Sequence, residues 1–410
     1  MGPQSQKYEF IERGVCMRQN FTSRERMLAA LQNQESDYVP CSFMIFTALR
    51  EKCKDPLQFI DRQLELGLDA KAELPEFPIR LHPDVRVREW KEKPLGQRYP
   101  LLHKQYHTPS GILTTVVRKT EDWPYGDHVP LFDDYLIPRS EKFLVTGRED
   151  LESVRFLFAE PTPEDIKELR QKSARLKKFA SNKGLLVSAG WQTGADPGCM
   201  GMDAVMWLCG MKEAVLLAMD RPEVIEELLR IISEWNLKRI EIYLDEGVDL
   251  LIKRAWYEST DLWSPALYRR FMVPVLKKEI ELTHQAGAKF GYIITSGIMP
   301  LLDDILELGI DVLIGVDPVQ GKGTDLRLLK QKLGGKICLW GGVNGFLTIE
   351  NGSKEDVIEA VQQAISTLGP GGGLILSPVD NVRDTSEHTW NNVMTMIKAW
   401  KKMRAYPIEA

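Results

Sequence analysis

Aromatic and polar side chains stand at the ends of apolar runs in this sequence. The apolar run at 289–294, for example, is followed directly by Thr295 and Ser296. The full set of candidate site residues is Met44, Phe46, Trp191, Arg254, Trp256, Tyr257, Glu258, Tyr292, Thr295, Ser296, Asn344 and Asp380. Further polar residues at such ends are Glu73, Glu76, Gln192, Thr193, Asp196 and Asp317. Rings with few charged groups are typical of a site that holds a planar, mostly apolar ligand by stacking and orients it by a few hydrogen bonds.

Two acids of this set could donate a proton. Glu258 and Asp380 would each be sheltered among aromatic rings, and such shelter raises the pKa of a carboxyl group toward neutrality. Helix capping or an ion pair with Arg254 explains either acid equally well. Asp317 precedes a proline and is expected to brace its own loop.

Alternating strand and helix patterns supply the elements that must position these residues. Eight apolar runs are each followed by helix-period sequence: VPCSFMIF, LGLDAKAEL, GLLVSAGWQ, VDLLIKRAW, KFGYIITSG, IDVLIGVDP, KICLWGGVN and GLILSPVDN. Such alternation predicts right-handed βαβ units and a parallel sheet. We therefore predict an α/β fold, a single (β/α)8 TIM barrel over residues 1–410, with its site at the carboxyl ends of the strands. Residues 1–38 are expected to form an N-terminal helical extension, and about 78–160 are expected to form a β-rich insertion.

Composition excludes several classes of protein. The net charge is −5 with both signs mixed along the chain, so no nucleic-acid partner is expected. The most apolar window, 204–219, is short and carries two charges, so no membrane span is expected. The six cysteines show no Cys-x-x-Cys spacing, which favours a reduced cytoplasmic protein without a metal site. Cys338 is expected to pack as a core strand residue.

Several stretches resemble the uroporphyrinogen decarboxylase superfamily. These are TSRERMLAALQNQESDYVPCSF, WSPALYRRFMVPVLKKEIELTHQAGAKF, IDVLIGVDP, WGGVN and GLILSPVDN, which follow one another over most of the chain. The superfamily has a (β/α)8 barrel and includes tetrapyrrole decarboxylases and methyltransferases that work with corrinoid proteins. The resemblance therefore implies the same fold as the strand pattern.

Departures from the family patterns narrow the activity. The decarboxylases carry an Arg-rich motif at the first strand, where this chain is apolar until Arg50. The thiol methyltransferases bind zinc at positions that correspond here to Ile294, Ser296 and Asp380, none of which is a Cys or His. Zinc is therefore not predicted.

The insertion YHTPSGILTTVVRKTEDWPYGDHVPLFDDYLIPRSEKFLV resembles the methyltransferases of phenyl methyl ethers. This resemblance implies a small aromatic substrate and a corrinoid (cobalamin) cofactor. The Asp-x-His-x-x-Gly element of many corrinoid proteins is missing, so a separate corrinoid protein is the expected partner. Asp380 or Glu258 would be the acid, assisted by Tyr257 or Tyr292, and Thr295 and Ser296 would bind ring substituents.

Other activities stay open at this point. The chain could move methyl groups from a corrinoid to tetrahydrofolate or a thiol, or decarboxylate a smaller substrate. It could also be a non-catalytic binding subunit, and a homodimer is left open.

Overall fold

The computed structural model describes residues 21–191 and 200–409. The predicted N-terminal extension is thus described only from residue 21, and Gln192, Thr193 and Asp196 lie outside the described residues.

Eleven described strands form two sheets. In chain order they are β1 (Lys71–Glu73), β2 (Arg86–Glu92), β3 (Leu101–Thr108), β4 (Gly111–Arg118), β5 (Ser140–Lys142), β6 (Leu186–Ala189), β7 (Leu250–Arg254), β8 (Lys289–Ile293), β9 (Val312–Val316), β10 (Cys338–Asn344) and β11 (Leu374–Val379). A curled parallel sheet has the order β1-β6-β7-β8-β9-β10-β11. A separate antiparallel sheet has the order β2-β3-β4-β5, as expected of the β-rich insertion.

Fourteen α-helices connect or flank these strands. They are α1 (Ser23–Leu31), α2 (Thr47–Arg50), α3 (Pro56–Leu66), α4 (Leu151–Val154), α5 (Pro163–Lys183), α6 (Met202–Cys209), α7 (Met211–Asp220), α8 (Pro222–Asp245), α9 (Pro265–Phe271), α10 (Val273–Gln285), α11 (Leu302–Leu308), α12 (Leu326–Leu333), α13 (Lys354–Leu368) and α14 (Glu387–Met403). Among these helices, none is long and apolar enough to cross a membrane.

Seven of the eight predicted parallel strands are present as regular strands. The first predicted strand, 39–46, instead follows β11 in parallel through two single bridges, at Cys41 and Ile45. On its other side the Cys41 carbonyl accepts a hydrogen bond from the backbone N–H of Asp69. Regular pairing is interrupted because Pro40 has no N–H, and the N–H of Met44 donates to the Ser377 hydroxyl (2.8 Å). The segment therefore lies between β11 and β1 without a continuous ladder.

Local signals explain where several helices begin and divide. Thr22 forms a capping box with Glu25 before α1, and Ser264 caps α9 with a proline at its first position. The sequence predicts one helix over 264–287, but α9 and α10 are separate because Pro274 cannot donate the hydrogen bond that would join them. The predicted helix over 203–219 is likewise divided into α6 and α7 at Gly210.

Strand alternation sorts the buried side chains into two layers. Ile252 and Ile293 belong to the cluster inside the curled sheet. Leu251 and Tyr292, one residue away on the same strands, belong to the larger cluster between sheet and helices. A residue therefore faces the site only if it lies on the inner side of its strand.

Gly210 tests the division between α6 and α7. Its φ of +83° is unfavourable for other residues, and an added Cβ would lie 2.4 Å from the Phe143 ring. Gly210→Ala is expected to destabilise the protein by about 2–4 kcal/mol, from backbone strain and overpacking. Gly247→Ala is the control, because Gly247 has a φ of +74° but no neighbour within 4 Å of the added Cβ. The urea midpoints of the two variants measure the difference, and equal midpoints would contradict the clash.

Candidate active site

A cavity of about 510 Å³ opens at the carboxyl ends of the first strands. Its walls come from residues 42–47, from α3 and from the end of β1. Met44 and Trp191 line it and also belong to the cluster inside the curled sheet. A cavity of this volume accommodates a small aromatic molecule.

Arg254 is the centre of a polar cluster next to the cavity, at the carboxyl-end opening of the curled sheet. This opening is called the mouth. It ends β7 on the inner side, and its Nε donates to Asp203 (2.7 Å). Its terminal nitrogen donates to both carboxylate oxygens of Asp134 (2.7 and 2.8 Å). The guanidinium also lies 4.7 Å from the Trp207 ring centroid and 4.3 Å from that of Trp256. This cluster joins the sheet, helix α6 and the β-rich insertion.

The two acids beside Arg254 differ in pKa because they differ in burial. Burial opposes ionisation of Asp134, but the attraction of Arg254 and three hydrogen-bond donors outweighs it and lowers the pKa. One of these donors is the Tyr257 hydroxyl, at 2.8 Å. Asp203 is fully buried, and burial raises its pKa although Arg254 opposes the shift.

Asp380 is a carboxylate without such partners. It follows β11 with a φ of +67°, a conformation that is rare outside glycine and that often occurs at functional sites. Its side chain is accessible to solvent, and no described residue donates a hydrogen bond to it. Protein surrounds the carboxylate on most sides, and this burial raises its pKa, with a further contribution from Asp134. The next residue, Asn381, accepts a hydrogen bond from the backbone N–H of Thr47 (3.3 Å), which lines the cavity.

Glu258 and Tyr292 lie elsewhere than the sequence predicts. The Tyr292 hydroxyl donates to Glu258 (2.7 Å), and both side chains are buried in the layer between sheet and helices. The second Glu258 oxygen accepts from the Met202 N–H (3.0 Å). Burial raises the pKa of Glu258, whereas nearby Lys253 lowers it. The Tyr292 side chain does not face the mouth, because it lies on the outer side of β8 together with Phe290.

Lys253 is the cation of this buried group. Its Nζ lies 2.6 Å from Glu279 on α10, and neither side chain has appreciable exposure. Gly201 packs on the same group, since a Cβ there would lie 3.0 Å from the lysine Nζ and 2.4 Å from a Glu258 oxygen. One cation therefore serves two buried carboxyl groups.

The remaining predicted site residues have mixed surroundings. Trp256 meets Trp191 edge to face, with centroids 6.5 Å apart. Phe46 lines the cavity but packs against Phe43, at a centroid distance of 4.4 Å. The Ser296 hydroxyl donates to Asp261, which also pairs with Lys322 (2.9 Å).

Thr295 is half-buried, whereas Asn344 is fully buried. The Asn344 amide donates to Asp317 (2.6 Å), and its oxygen accepts from the Leu347 N–H. Asp317 also accepts from two backbone N–H groups of its own loop, as expected.

Four site residues were missed by sequence reasoning. Asp134, Asp203 and Trp207 surround Arg254, and Lys71 lies in the cavity. Lys71 carried a usable signal, because it is two residues before Glu73 and so lies on the same face of the strand as that predicted polar residue. Asp134 carried none, since its position depends on how the loop between β4 and β5 returns to the curled sheet.

The described residues contain no group of three or more His, Cys, Asp or Glu that could hold a metal ion. Of the positions that bind zinc in the thiol methyltransferases, Ile294 is fully buried and apolar, and Ser296 is bonded to Asp261. Cys338 is buried in β10, as expected of a core residue.

Comparison with known proteins confirms the family resemblance. Residues 204–403 match the family model described as uroporphyrinogen decarboxylase (URO-D). No curated protein sequence matches the chain.

A solved structure shares the fold. A methyltransferase from Methanosarcina mazei superposes with a TM-score of 0.57 at 16% identity, covering 93% of this chain and 99% of that chain. A D-tagatose 3-epimerase-like protein is less similar, with a TM-score of 0.34, 13% identity and coverage of 62% of this chain and 86% of that chain. A sugar phosphate isomerase/epimerase from Parabacteroides distasonis has a TM-score of 0.31 at 13% identity, covering 58% and 77% of the two chains.

The buried lysine gives a second testable prediction. Lys253→Met leaves Glu258 and Glu279 without their cation in the apolar layer, so the protein is expected to lose about 3–5 kcal/mol of stability. Lys289→Met is the control, because its ion pair with Asp311 is partly exposed and should contribute less than about 1 kcal/mol. Urea unfolding at neutral pH compares the two, and similar midpoints would argue against a buried-charge role for Lys253.

Proposed function

We propose that the protein is a methyltransferase that moves a methyl group from a small aromatic methyl ether to the cobalt of a corrinoid carried by a separate protein. The observation that carries this proposal is Asp380, an accessible acid with a raised pKa and no described hydrogen-bond donor, whose neighbour Asn381 is hydrogen-bonded to the cavity residue Thr47. The shared fold with a methyltransferase supports the reaction class.

Methyl transfer from an aryl ether needs an acid at the ether oxygen. A reduced corrinoid held by the partner would supply the electron pair for the new bond to the methyl carbon. As the carbon–oxygen bond breaks, its electrons remain on oxygen, and the Asp380 proton moves there to give a neutral phenol. Water then returns a proton to the carboxylate. A raised pKa keeps Asp380 protonated closer to neutral pH, which suits this role.

Asp380 is preferred over Glu258 because of access. Both oxygens of Glu258 accept hydrogen bonds, and the residue is only 2% exposed. We assign Glu258 and Tyr292 to positioning the end of β7 and the start of α6. Tyr257, through its bond to Asp134, holds the insertion over the mouth. Thr295 and Ser296 remain proposed contacts for ring substituents.

The rim of the mouth offers apolar side chains to a partner. Val319, Phe346 and Leu347 are exposed on the loops after β9 and β10. Asn344 links these loops, because its amide donates to Gln320 (2.8 Å) and its oxygen accepts from the Leu347 N–H. We propose that the corrinoid protein docks on this rim and thereby brings its cobalt above the cavity.

A pH profile tests the acid. Wild-type activity with a reduced corrinoid protein and methoxylated aromatics should fall as pH rises through the raised pKa of Asp380, because only the protonated form donates. Asp380→Asn should lose about 10²–10⁴-fold in rate and show no such dependence. The measurement is the absorbance change on methylation of the corrinoid.

Glu307→Gln is the matched control for this prediction. It removes an exposed carboxylate paired with Lys277 and should leave rate and profile unchanged. A wild-type rate and pH profile in Asp380→Asn would contradict the assignment of Asp380 as the acid.

Replacing a rim residue tests partner docking. Phe346→Glu should raise the KM for the corrinoid protein by about tenfold or more, since it places a charge in an apolar contact. Affinity for the aromatic ligand should not change. Ile358→Glu, which adds the same charge to an exposed apolar residue of α13, is the control. Equal KM values for the two variants would contradict docking of the corrinoid protein on this rim.

A further inference from the structure

One wall of the cavity carries a polar pair, Lys71 and Glu73. Lys71 and Glu73 both lie on the inner side of β1, because Ala72 between them packs into the layer outside the sheet. Met44, Phe59 and Leu74 are among the apolar residues of the same cavity. A ligand ring that binds among these apolar residues therefore has the Lys71–Glu73 pair on the same wall.

The charge of Lys71 is already neutralised. Its Nζ lies 2.5 Å from one oxygen of Glu73 and 3.4 Å from the Ser188 hydroxyl. The same Nζ lies 5.2 Å from the centroid of the Trp191 ring. Glu73 and Trp191 are thus neighbours on one wall, and the Lys71–Glu73 pair has no net charge to offer an anion.

Two polar atoms of this wall lack hydrogen bonds within the described part of the chain. One is the second oxygen of Glu73, an acceptor, and the other is the indole nitrogen of Trp191, a donor. Both atoms are buried, and Trp191 as a whole is only 2% exposed. Buried polar groups are normally paired, so an unpaired donor and an unpaired acceptor on one cavity wall point to a ligand group that serves both.

The chemistry of these two atoms selects the ligand group. A hydroxyl donates its hydrogen to a carboxylate and accepts a hydrogen bond from an indole N–H. A carboxylate can only accept, so at this position it would leave the Glu73 oxygen unpaired and lie beside its negative charge, because Lys71 is already paired. The other cation of the lining, Arg50, is exposed. An ammonium group can only donate, so the indole N–H would stay unpaired.

We infer that Glu73 and Trp191 form a hydroxyl-binding subsite that admits an uncharged, hydroxylated aromatic ligand and rejects an aromatic carboxylate. The hydroxyl-binding subsite is inferred from the two unpaired atoms alone, whereas the expectation that the ligand is a methyl ether rests on the proposed function. Lys71 is a positioning residue of this subsite, since it holds Glu73 by one oxygen and leaves the other oxygen to the ligand.

Equilibrium binding of three probes tests the subsite without turnover. Calorimetry at neutral pH compares 2-methoxyphenol, which carries the hydroxyl, with methoxybenzene, which lacks it, and with 2-methoxybenzoate, which carries a carboxylate instead. Methoxybenzene should bind at least about tenfold more weakly than 2-methoxyphenol, because it leaves both wall atoms unpaired. The benzoate should bind at least about a hundredfold more weakly.

Two variants separate the contributions of the wall atoms. Trp191→Phe keeps an aromatic ring but removes the N–H, so the advantage of 2-methoxyphenol over methoxybenzene should shrink by about tenfold. Glu73→Gln removes the negative charge and frees that of Lys71, so the benzoate should gain affinity relative to the phenol. Glu65→Gln is the matched control, because Glu65 is exposed on α3, pairs with Arg62 and does not line the cavity, so the selectivity of this variant should stay that of the wild type.

Each outcome decides the inference. Similar affinities for all three probes, no binding of any probe, or unchanged selectivity in Trp191→Phe would overturn it. Thermal unfolding of each variant shows whether it is folded, and Trp191→Phe decides alone if Glu73→Gln does not fold. If 2-methoxyphenol binds with the expected preference but no methyl group is transferred, the proposed function fails and the subsite stands.

Discussion

The mouth of this protein depends on a single desolvated cation, Arg254. Moving a guanidinium out of water is costly unless carboxylates and further hydrogen bonds surround it. Here the strand β7 supplies the arginine, α6 supplies Asp203, and the loop between β4 and β5 supplies Asp134. The interaction therefore joins three parts of the chain that are far apart in sequence, and two tryptophan rings pack against the cation.

Two adjacent residues of β7 show how strand alternation divides the polar groups. Arg254 faces inward to the mouth, whereas Lys253 faces outward to Glu279 on α10. The outward group, with Glu258 and Tyr292, fixes the sheet against its helices. The inward group leaves Asp380 and the cavity open to a ligand. One face of β7 thus carries the buried group that packs sheet against helices, and the other face carries the group that borders the candidate site.

Much of the fold could be predicted from the sequence because its signals are local. Seven of the parallel strands coincide with apolar runs of the sequence. Thr22 and Ser264 are recognisable caps at the starts of α1 and α9. Residues 39–46 were expected to be a regular strand, but Pro40 and the Ser377 side chain interrupt the pairing. The candidate site was predicted less completely. Tyr292 lies near the end of β8, but strand alternation turns its side chain to the outer face of the sheet. Asp134 reaches the site only because the insertion folds back onto the sheet, a long-range contact that local sequence patterns do not reveal.

The bond between Arg254 and Asp134 also constrains how this chain can change over evolution. A relative that shortened the loop between β4 and β5 would leave the guanidinium facing one carboxylate instead of two, in a site screened from water by Trp207 and Trp256. Such a relative would have to replace the arginine in the same lineage or recruit another acid. Residues 134 and 254, although 120 positions apart, should therefore vary together, and the β-rich insertion should be inherited together with the strand that carries Arg254.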